Sequence, residues 1–178
     1  EYRKIVNLKE LYPNAVWGAY TATATPEVIK DIEDQLQLNS PNIFNSSSRR
    51  INLSYQVNTW GDQEVEILHQ AQTLATKYPN SPGLVYVKSR ALADKFSERL
   101  KSLGLNAESF HAGLSANTKD SRQKKWLKGS VQIMTCTSAF GMGIDKPNVR
   151  WVLHYNLPNS LESYIQETGR AGRDSLDS

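Results

Sequence analysis

Two arginines, Arg170 and Arg173, each follow a glycine in the run Gln166-Glu167-Thr168-Gly169-Arg170-Ala171-Gly172-Arg173-Asp174. A guanidinium is a planar fork of donors with delocalised charge, which suits the spread negative charge of a phosphoryl group in transfer. A segment that reads as a helix precedes them. Asn159 or Ser160 can cap its start, and Glu162 stands three residues beyond Asn159, the spacing of a capping box. If the helix continued, Gln166, Arg170 and Arg173 would fall at i, i+4 and i+7 on one face. The glycines oppose this, because each costs about 1 kcal/mol relative to alanine inside a helix. The pattern therefore predicts that the helix frays near Thr168 and that the arginines project from a tight turn. A solvated basic helix end, favoured by the macrodipole, is the plain alternative for a Gly-Arg pair taken alone.

A second stretch, Thr135-Cys136-Thr137-Ser138-Ala139-Phe140-Gly141-Met142-Gly143-Ile144-Asp145, carries glycines that let backbone approach a ligand closely. Asp145 is of a type that accepts hydrogen bonds from ribose hydroxyls; an ordinary glycine-rich turn is the alternative. Neither Gly-x-x-x-x-Gly-Lys-Ser/Thr nor a paired acidic box after a strand occurs. By these residues alone, the chain does not hold a nucleoside triphosphate in the usual way.

The elements that must position these residues alternate. Residues 15–20 read as a buried strand leading into Thr21-Ala22-Thr23-Ala24-Thr25, and Pro26 suits the first turn of a helix. Residues 39–50 are rich in Ser and Asn and read as a linker, the candidate domain boundary. Ile51, Leu53, Tyr55 and Val57 alternate as in a half-buried strand, and a helix is predicted from about Gln63 to Tyr78. Gly83 to Val87 is a short apolar strand of the kind buried on both faces. Ser89 caps the clearest helix, with Leu92, Phe96, Leu100 and Leu103 as its stripe and Gly104 as its stop. Then come a strand at 106–110, a helix at 115–128 closed by Gly129, strands at 131–135 and 150–154, and the helix from about Leu161. Short connections between alternating strands and helices imply right-handed βαβ units around a mainly parallel sheet. Ligands bind such sheets at the carboxyl ends of the strands, where Lys88-Ser89-Arg90, His111-Ala112-Gly113 and the glycine stretch fall.

At 178 residues, with 39% hydrophobic and 22% charged residues, the chain has room for one domain with a proper core and a fragment of another. A net charge of +3 permits a nucleic-acid partner without arguing for one. The single cysteine, Cys136, excludes an intrachain disulfide and a cysteine-rich zinc site, and its apolar neighbours predict a buried, inert thiol. No apolar run approaches the ~20 residues that span a bilayer. Glu1-Tyr2-Arg3-Lys4 does not open a signal peptide, so a soluble intracellular protein is the default expectation. The charges at Lys119, Arg122, Lys124, Lys125 and Lys128 spread around their helix as on a solvated face, with Trp126 and Leu127 expected in the core.

Thr-Ala-Thr at 21–23, Ser89-Arg90, the glycine stretch and Gln-x-x-Gly-Arg-x-Gly-Arg at 166–173 occur in that order, and they resemble motifs III, IV, V and VI of superfamily 2 helicases. Residues 139–150 and 162–174 look like the RecQ family's forms of motifs V and VI, and Phe110-His111-Ala112-Gly113-Leu114 resembles the RecQ segment in that place. The resemblance covers most of the chain, from about Tyr20 to Asp174. It departs at Tyr20, usually leucine, at Ile51, usually proline, and at Ser175, usually glycine; none of these removes a group that does chemistry.

The resemblance implies a RecA-like three-layer α/β domain: residues 51–178 as the second motor domain of an ATP-dependent 3′–5′ DNA helicase, 41–50 as linker, and 1–40 as the tail of the first motor domain. ATP and Mg2+ would be used by the intact helicase, with the phosphate loop and magnesium carboxylates on the first domain and none bound by this chain alone. Arg173 would be the arginine finger, Arg170 its neighbouring phosphate contact and Gln166 their orienter; Gly143, Asp145, Arg170 and Arg173 would face the nucleotide. Asp145 would bind ribose or brace the finger. Ser89, Arg90, His111, Gly113, Thr137 and Ser138 would contact single-stranded DNA. For His111, capping a strand end is an equal alternative. Thr21 and Thr23 would couple ATP state to DNA contact. No metal ligands are assigned. The implied partners are single-stranded and duplex DNA and the first motor domain, without membrane, in bacterial cytoplasm or nucleoid or in a eukaryotic nucleus. Two rivals remain: an RNA helicase of the same superfamily, expected to carry His-Arg-x-Gly-Arg in motif VI, and a non-catalytic nucleic-acid-binding or regulatory module on the same fold.

Overall fold

Leu84 and Tyr86 point to one side of the Gly83–Tyr86 strand, Val85 to the other, and all four residues of the strand are buried, so it must lie in the middle of a sheet covered twice. The computed structural model, which describes residues 2–21, 24–45, 49–58, 61–141 and 144–178, shows this arrangement. The chain divides into two compact units, Glu1–Arg49 and Arg50–Ser178.

In the larger unit the order is α3 (Gln63–Lys77), β1 (Gly83–Tyr86), α4 (Arg90–Ser102), β2 (Ala107–Phe110), α5 (Ala116–Leu127), β3 (Ile133–Cys136), β4 (Trp151–His154) and α6 (Leu161–Thr168). The strands form one parallel sheet in the order β2-β3-β1-β4, with Tyr86 level with Cys136 and His154, and Phe110 level with Cys136. On one face Ile67, Leu68, Ala71 and Ala75 of α3 and Ala93, Phe96 and Leu100 of α4 pack over Val85, Ile133 and Trp151. On the other, Trp126 of α5, Phe140, Ile144, Val149 and Ala171 pack over Leu84, Tyr86 and Met134. The result is the expected three-layer α/β domain.

Helix starts follow their caps. Asp62, Ser89, Ser115 and Ser160 each accept a backbone N–H from the first turn of α3, α4, α5 and α6. Cys136 is fully buried and burial pushes its thiol up, in keeping with an inert residue. Two core assignments are corrected: Leu103 and Leu127 are 44% and 37% exposed, because each sits where its helix ends and turns away from the sheet.

The strand expected at 51–57 does not form. Ile51 and Val57 are 91% and 87% exposed, and the segment docks through half-buried Leu53. Ser54 donates its amide to the Ser178 carbonyl and Ser178 donates to Asn52, at 2.9 and 3.0 Å, two bonds with the chain end in place of a ladder.

In the smaller unit, α1 (Leu8–Leu11) follows a 3-10 turn at Tyr2–Asn7, and α2 (Pro26–Gln35) has Pro26 at its first position and Thr25 as its cap. The strand expected at 15–20 is also absent, with Val16 and Tyr20 100% and 97% exposed. Strand geometry persists where a neighbour pairs its amides, and no described strand lies in this unit. Lys9 lies 5.8 Å from the Trp17 ring centre and donates to the Gln37 carbonyl at 2.8 Å.

Candidate functional site

The arginine turn starts where α6 stops. Ser160, extended at φ −148°, accepts the Ser163 amide at 3.1 Å, so the box expected from Asn159 and Glu162 is not formed. The helix ends at Thr168, as its glycines require, and the Thr168 hydroxyl turns back onto the Tyr164 carbonyl at 2.8 Å. Beyond it, Gly172 donates to Val149 at 2.9 Å and Asp174 to Pro147 at 3.2 Å, pinning the turn beside the amino end of β4.

Within this turn the two arginines differ. Arg170 is only 8% exposed and its Nη1 donates to the Gly141 carbonyl at 2.5 Å. Gly141 has φ +126°, and a Cβ there would stand 2.0 Å from the Arg170 Cζ, so the guanidinium occupies room that only glycine leaves. The Tyr86 hydroxyl donates to the preceding carbonyl, Phe140, at 3.3 Å, and burial pushes its phenol up. His154 stacks on Tyr86 with centroids 5.3 Å apart and meets Glu167 at 2.8 Å. Two consecutive carbonyls of the glycine stretch are thus gripped from the sheet and from the arginine turn.

Arg173 is exposed. Its Nη1 donates to Asp145 Oδ1 at 2.9 Å, with longer contacts from Nη1 to the Ile144 carbonyl at 3.4 Å and from Nε to Gly169 at 3.3 Å. The Asp145 side chain is 81% exposed, so this pair can exchange for another anion at little cost. The turn itself is braced by Arg150, 7% exposed, whose Nη2 reaches both Asp174 carboxylate oxygens at 2.5 Å and whose other donors reach Asn148 and Asp177 carbonyls. Arg150's hydrogen bond holds the Asp174 carboxyl below the usual carboxylate range. Gln166, Arg170 and Arg173 do not share a face: Gln166 and Arg173 are exposed and Arg170 is buried, because helical geometry ends at Thr168. Gly143 and Thr23 lie outside the described residues; Thr21 is exposed in the smaller unit.

The second group lies along the carboxyl ends of β2, β3 and β1, which are neighbours in the sheet. Ser89 caps α4, accepting the Leu92 amide at 3.1 Å, and Arg90 follows it, exposed. His111 closes β2, and the place of an absent Gly113 Cβ lies within 3.2 Å of both the His111 Nδ1 and the Arg90 Nη1. Thr137 donates its amide to Phe110 at 3.2 Å and accepts from Phe140 at 3.0 Å, with Ser138 exposed beside it. The sheet thus brings Ser89, Arg90, His111, Gly113, Thr137 and Ser138 to adjacent strand ends, while residues 172–174 of the arginine turn lie beside the amino end of β4 and Arg170 reaches the glycine stretch after β3. On α5, Arg122 does not belong to a free basic face: it donates to the Ser109 carbonyl at 2.9 Å and lies 3.3 Å from Glu108.

Sequence reasoning passed over Tyr86, Asp94, His154, Glu167 and Arg150. Their partners come from strands and helices adjacent only in the sheet order, such as β1 beside β4, and no local spacing announces them.

The helicase conserved C-terminal domain family matches residues 63–175. The RecQ-like DNA helicase blm-1 of Caenorhabditis elegans is 41% identical over 180 residues, covering 100% of this chain and 18% of that protein. The ATP-dependent DNA helicase RecQ of Bacillus subtilis is 41% identical over 178 residues, covering 99% of this chain and 29% of that protein. The chain therefore spans less than a third of these relatives. Among solved structures, S. cerevisiae Dbp5 bound to RNA and ADP BeF3 shares the fold with a TM-score of 0.73 at 18% identity, over 98% of this chain and 46% of that one. The fold is that of a RecA-like α/β domain. The chain belongs to the helicase conserved C-terminal domain family, in the form carried by RecQ-type helicases.

Proposed function

We propose that this chain is the second motor domain of an ATP-dependent 3′–5′ DNA helicase, supplying an arginine finger and part of the single-stranded DNA track. The observation that carries this reading is Arg173, an exposed guanidinium on a hydrogen-bonded turn whose ion pair is with the exposed Asp145. A finger of this kind stabilises charge developing on the transferred phosphoryl group, an effect on the order of 10³–10⁵ in rate in related hydrolases. ATP supplies the phosphoanhydride when bound. Arg173 would answer its charge, Asp145 would brace the finger or take a ribose hydroxyl, Gln166 would orient the arginines, and Gly143 would face the nucleotide. Arg170, turned onto Gly141, acts on the phosphate through the turn it holds.

In this reading magnesium is held by carboxylates of the first motor domain. The strand-end groups would follow a DNA backbone without reading its sequence, and Thr21 and Thr23 would couple nucleotide state to that grip. No helix among the described residues is long and apolar enough to cross a membrane; an intracellular or nuclear site fits a DNA partner. Residues 1–40 as the tail of the first domain and 41–50 as linker complete the proposal.

The test is ATP hydrolysis by the purified 178-residue chain, expected to be absent because the site is divided between two domains. Substantial turnover would sink the divided site.

A further inference from the structure

At the end of β2, His111 is 5% exposed, and its Nε2 lies 3.2 Å from both carboxylate oxygens of Asp94. A carboxylate only accepts, so Nε2 carries the hydrogen and Nδ1 is left with a lone pair. That Nδ1 is buried and without a partner among the described residues. Gly113 lies against it and against the exposed Arg90 side chain: a Cβ there would stand 3.2 Å from both Nδ1 and the Arg90 Nη1. Asp94 is aimed by a directed chain: Arg122 Nη1 donates to Ser109 Oγ at 2.5 Å, and Ser109 Oγ donates to Asp94 Oδ1 at 2.5 Å. Burial pushes the Asp94 carboxyl up, but the Ser109 and His111 contacts outweigh it and hold the group below the usual range. The charged groups facing His111 are therefore Asp94 and Arg90 from α4 and, through Ser109, Arg122 from α5. Glu108 on β2 is taken up by Lys101 and Arg122.

We propose that Asp94 is a positioning residue that makes His111 a proton-linked contact for a phosphodiester seated beside Arg90 and Gly113. With the exposed Arg90 side chain turned aside, an anionic oxygen next to Gly113 would answer Arg90 and give Nδ1 a partner once that nitrogen is protonated. On binding, one proton is taken from solvent onto Nδ1. The Nδ1–H donates to the phosphate oxygen and Nε2–H stays on Asp94, so the imidazolium is held between two anions. Affinity then rises as pH falls. This inference rests on the reading of the strand ends as a DNA track and adds to it a proton and a residue, Asp94, outside the contact set.

The experiment is binding of a fluorescent oligothymidylate to the full-length protein at pH 8 and pH 6, for wild type, Asp94→Asn and Asp94→Ala. Wild type should tighten towards pH 6, by up to about tenfold per pH unit at the steepest, the limit for one proton taken up. The asparagine variant keeps an acceptor for Nε2–H, so it should match wild type at pH 8 and lose the tightening. The alanine variant should bind more weakly at both. A slope in Asp94→Asn equal to that of wild type overturns the inference, as does equal weakening of both variants at both pH values, the mark of a merely structural role. If Arg90→Ala and Thr137→Ala bind as tightly as wild type, the DNA track itself is wrong, a failure distinct from loss of the proton linkage.

Discussion

In the arginine turn most donors are engaged, although Arg170 Nε is buried without a partner: Arg170 Nη1 on Gly141, Arg150 on Asp174 and three carbonyls, Gly172 and Asp174 on the stretch before β4. Along the ends of β2, β3 and β1, by contrast, Arg90 and Ser138 are exposed, Ser89 gives its oxygen to a helix start, and His111 keeps a nitrogen without a partner. In the proposed reading, the first region holds one charge, Arg173, in place, and the second leaves groups that would change partners as a strand moves past. A finger is useful only if its position is set before the reaction, whereas a track must grip and release.

The comparison can be broken by variants that exchange the two kinds of construction. The largest effect is expected from Arg150→Ala, which strands a carboxylate and several carbonyls in the braced turn. It should cost about 2–3 kcal/mol in urea denaturation. The Asp174 carboxyl, depressed when folded, stabilises the protein above its unfolded-state pKa of about 3.9 and stops doing so as pH falls through the folded value. Arg150→Ala should therefore also flatten the loss of stability in acid; an unchanged acid limb would remove Asp174 from the brace. Gly141→Ala meets both a positive φ and the Arg170 side chain and should cost about 1–3 kcal/mol. A neutral result would mean that the turn yields easily. In the open region, Ser89→Ala removes a helix cap, worth about 1 kcal/mol by thermal melting. Least of all, Asp145→Asn should change stability by under about 0.5 kcal/mol, since its pair with Arg173 is exposed. A larger loss would make that pair part of the scaffold.

How much of this was legible depends on whether the cause is local. Caps at Ser89 and Ser160 and the end of α6 at Thr168 could be read because the groups that satisfy a helix end lie within a turn of it. Strands at 15–20 and 51–57 were misread because alternation reports a candidate face, while a ladder needs a neighbour that those segments do not have. The site divided in the same way. Residue types and order exposed Arg170 and Arg173, yet spacing treated them alike. Only the approach of Gly141 buries one and leaves the other to Asp145. Asp94 and His111 meet across α4 and β2, 17 positions apart, beyond any spacing rule.

The division between a braced turn and a single presented charge is tested most directly by Arg173→Ala in the full-length protein, measuring DNA-stimulated ATP turnover together with nucleotide affinity. Turnover should fall by about 10³-fold or more with affinity and folding nearly unchanged, since the guanidinium acts on charge that develops only in the transition state. Turnover kept near that of wild type would make Arg173 one more brace of the turn and would contradict its role as the finger.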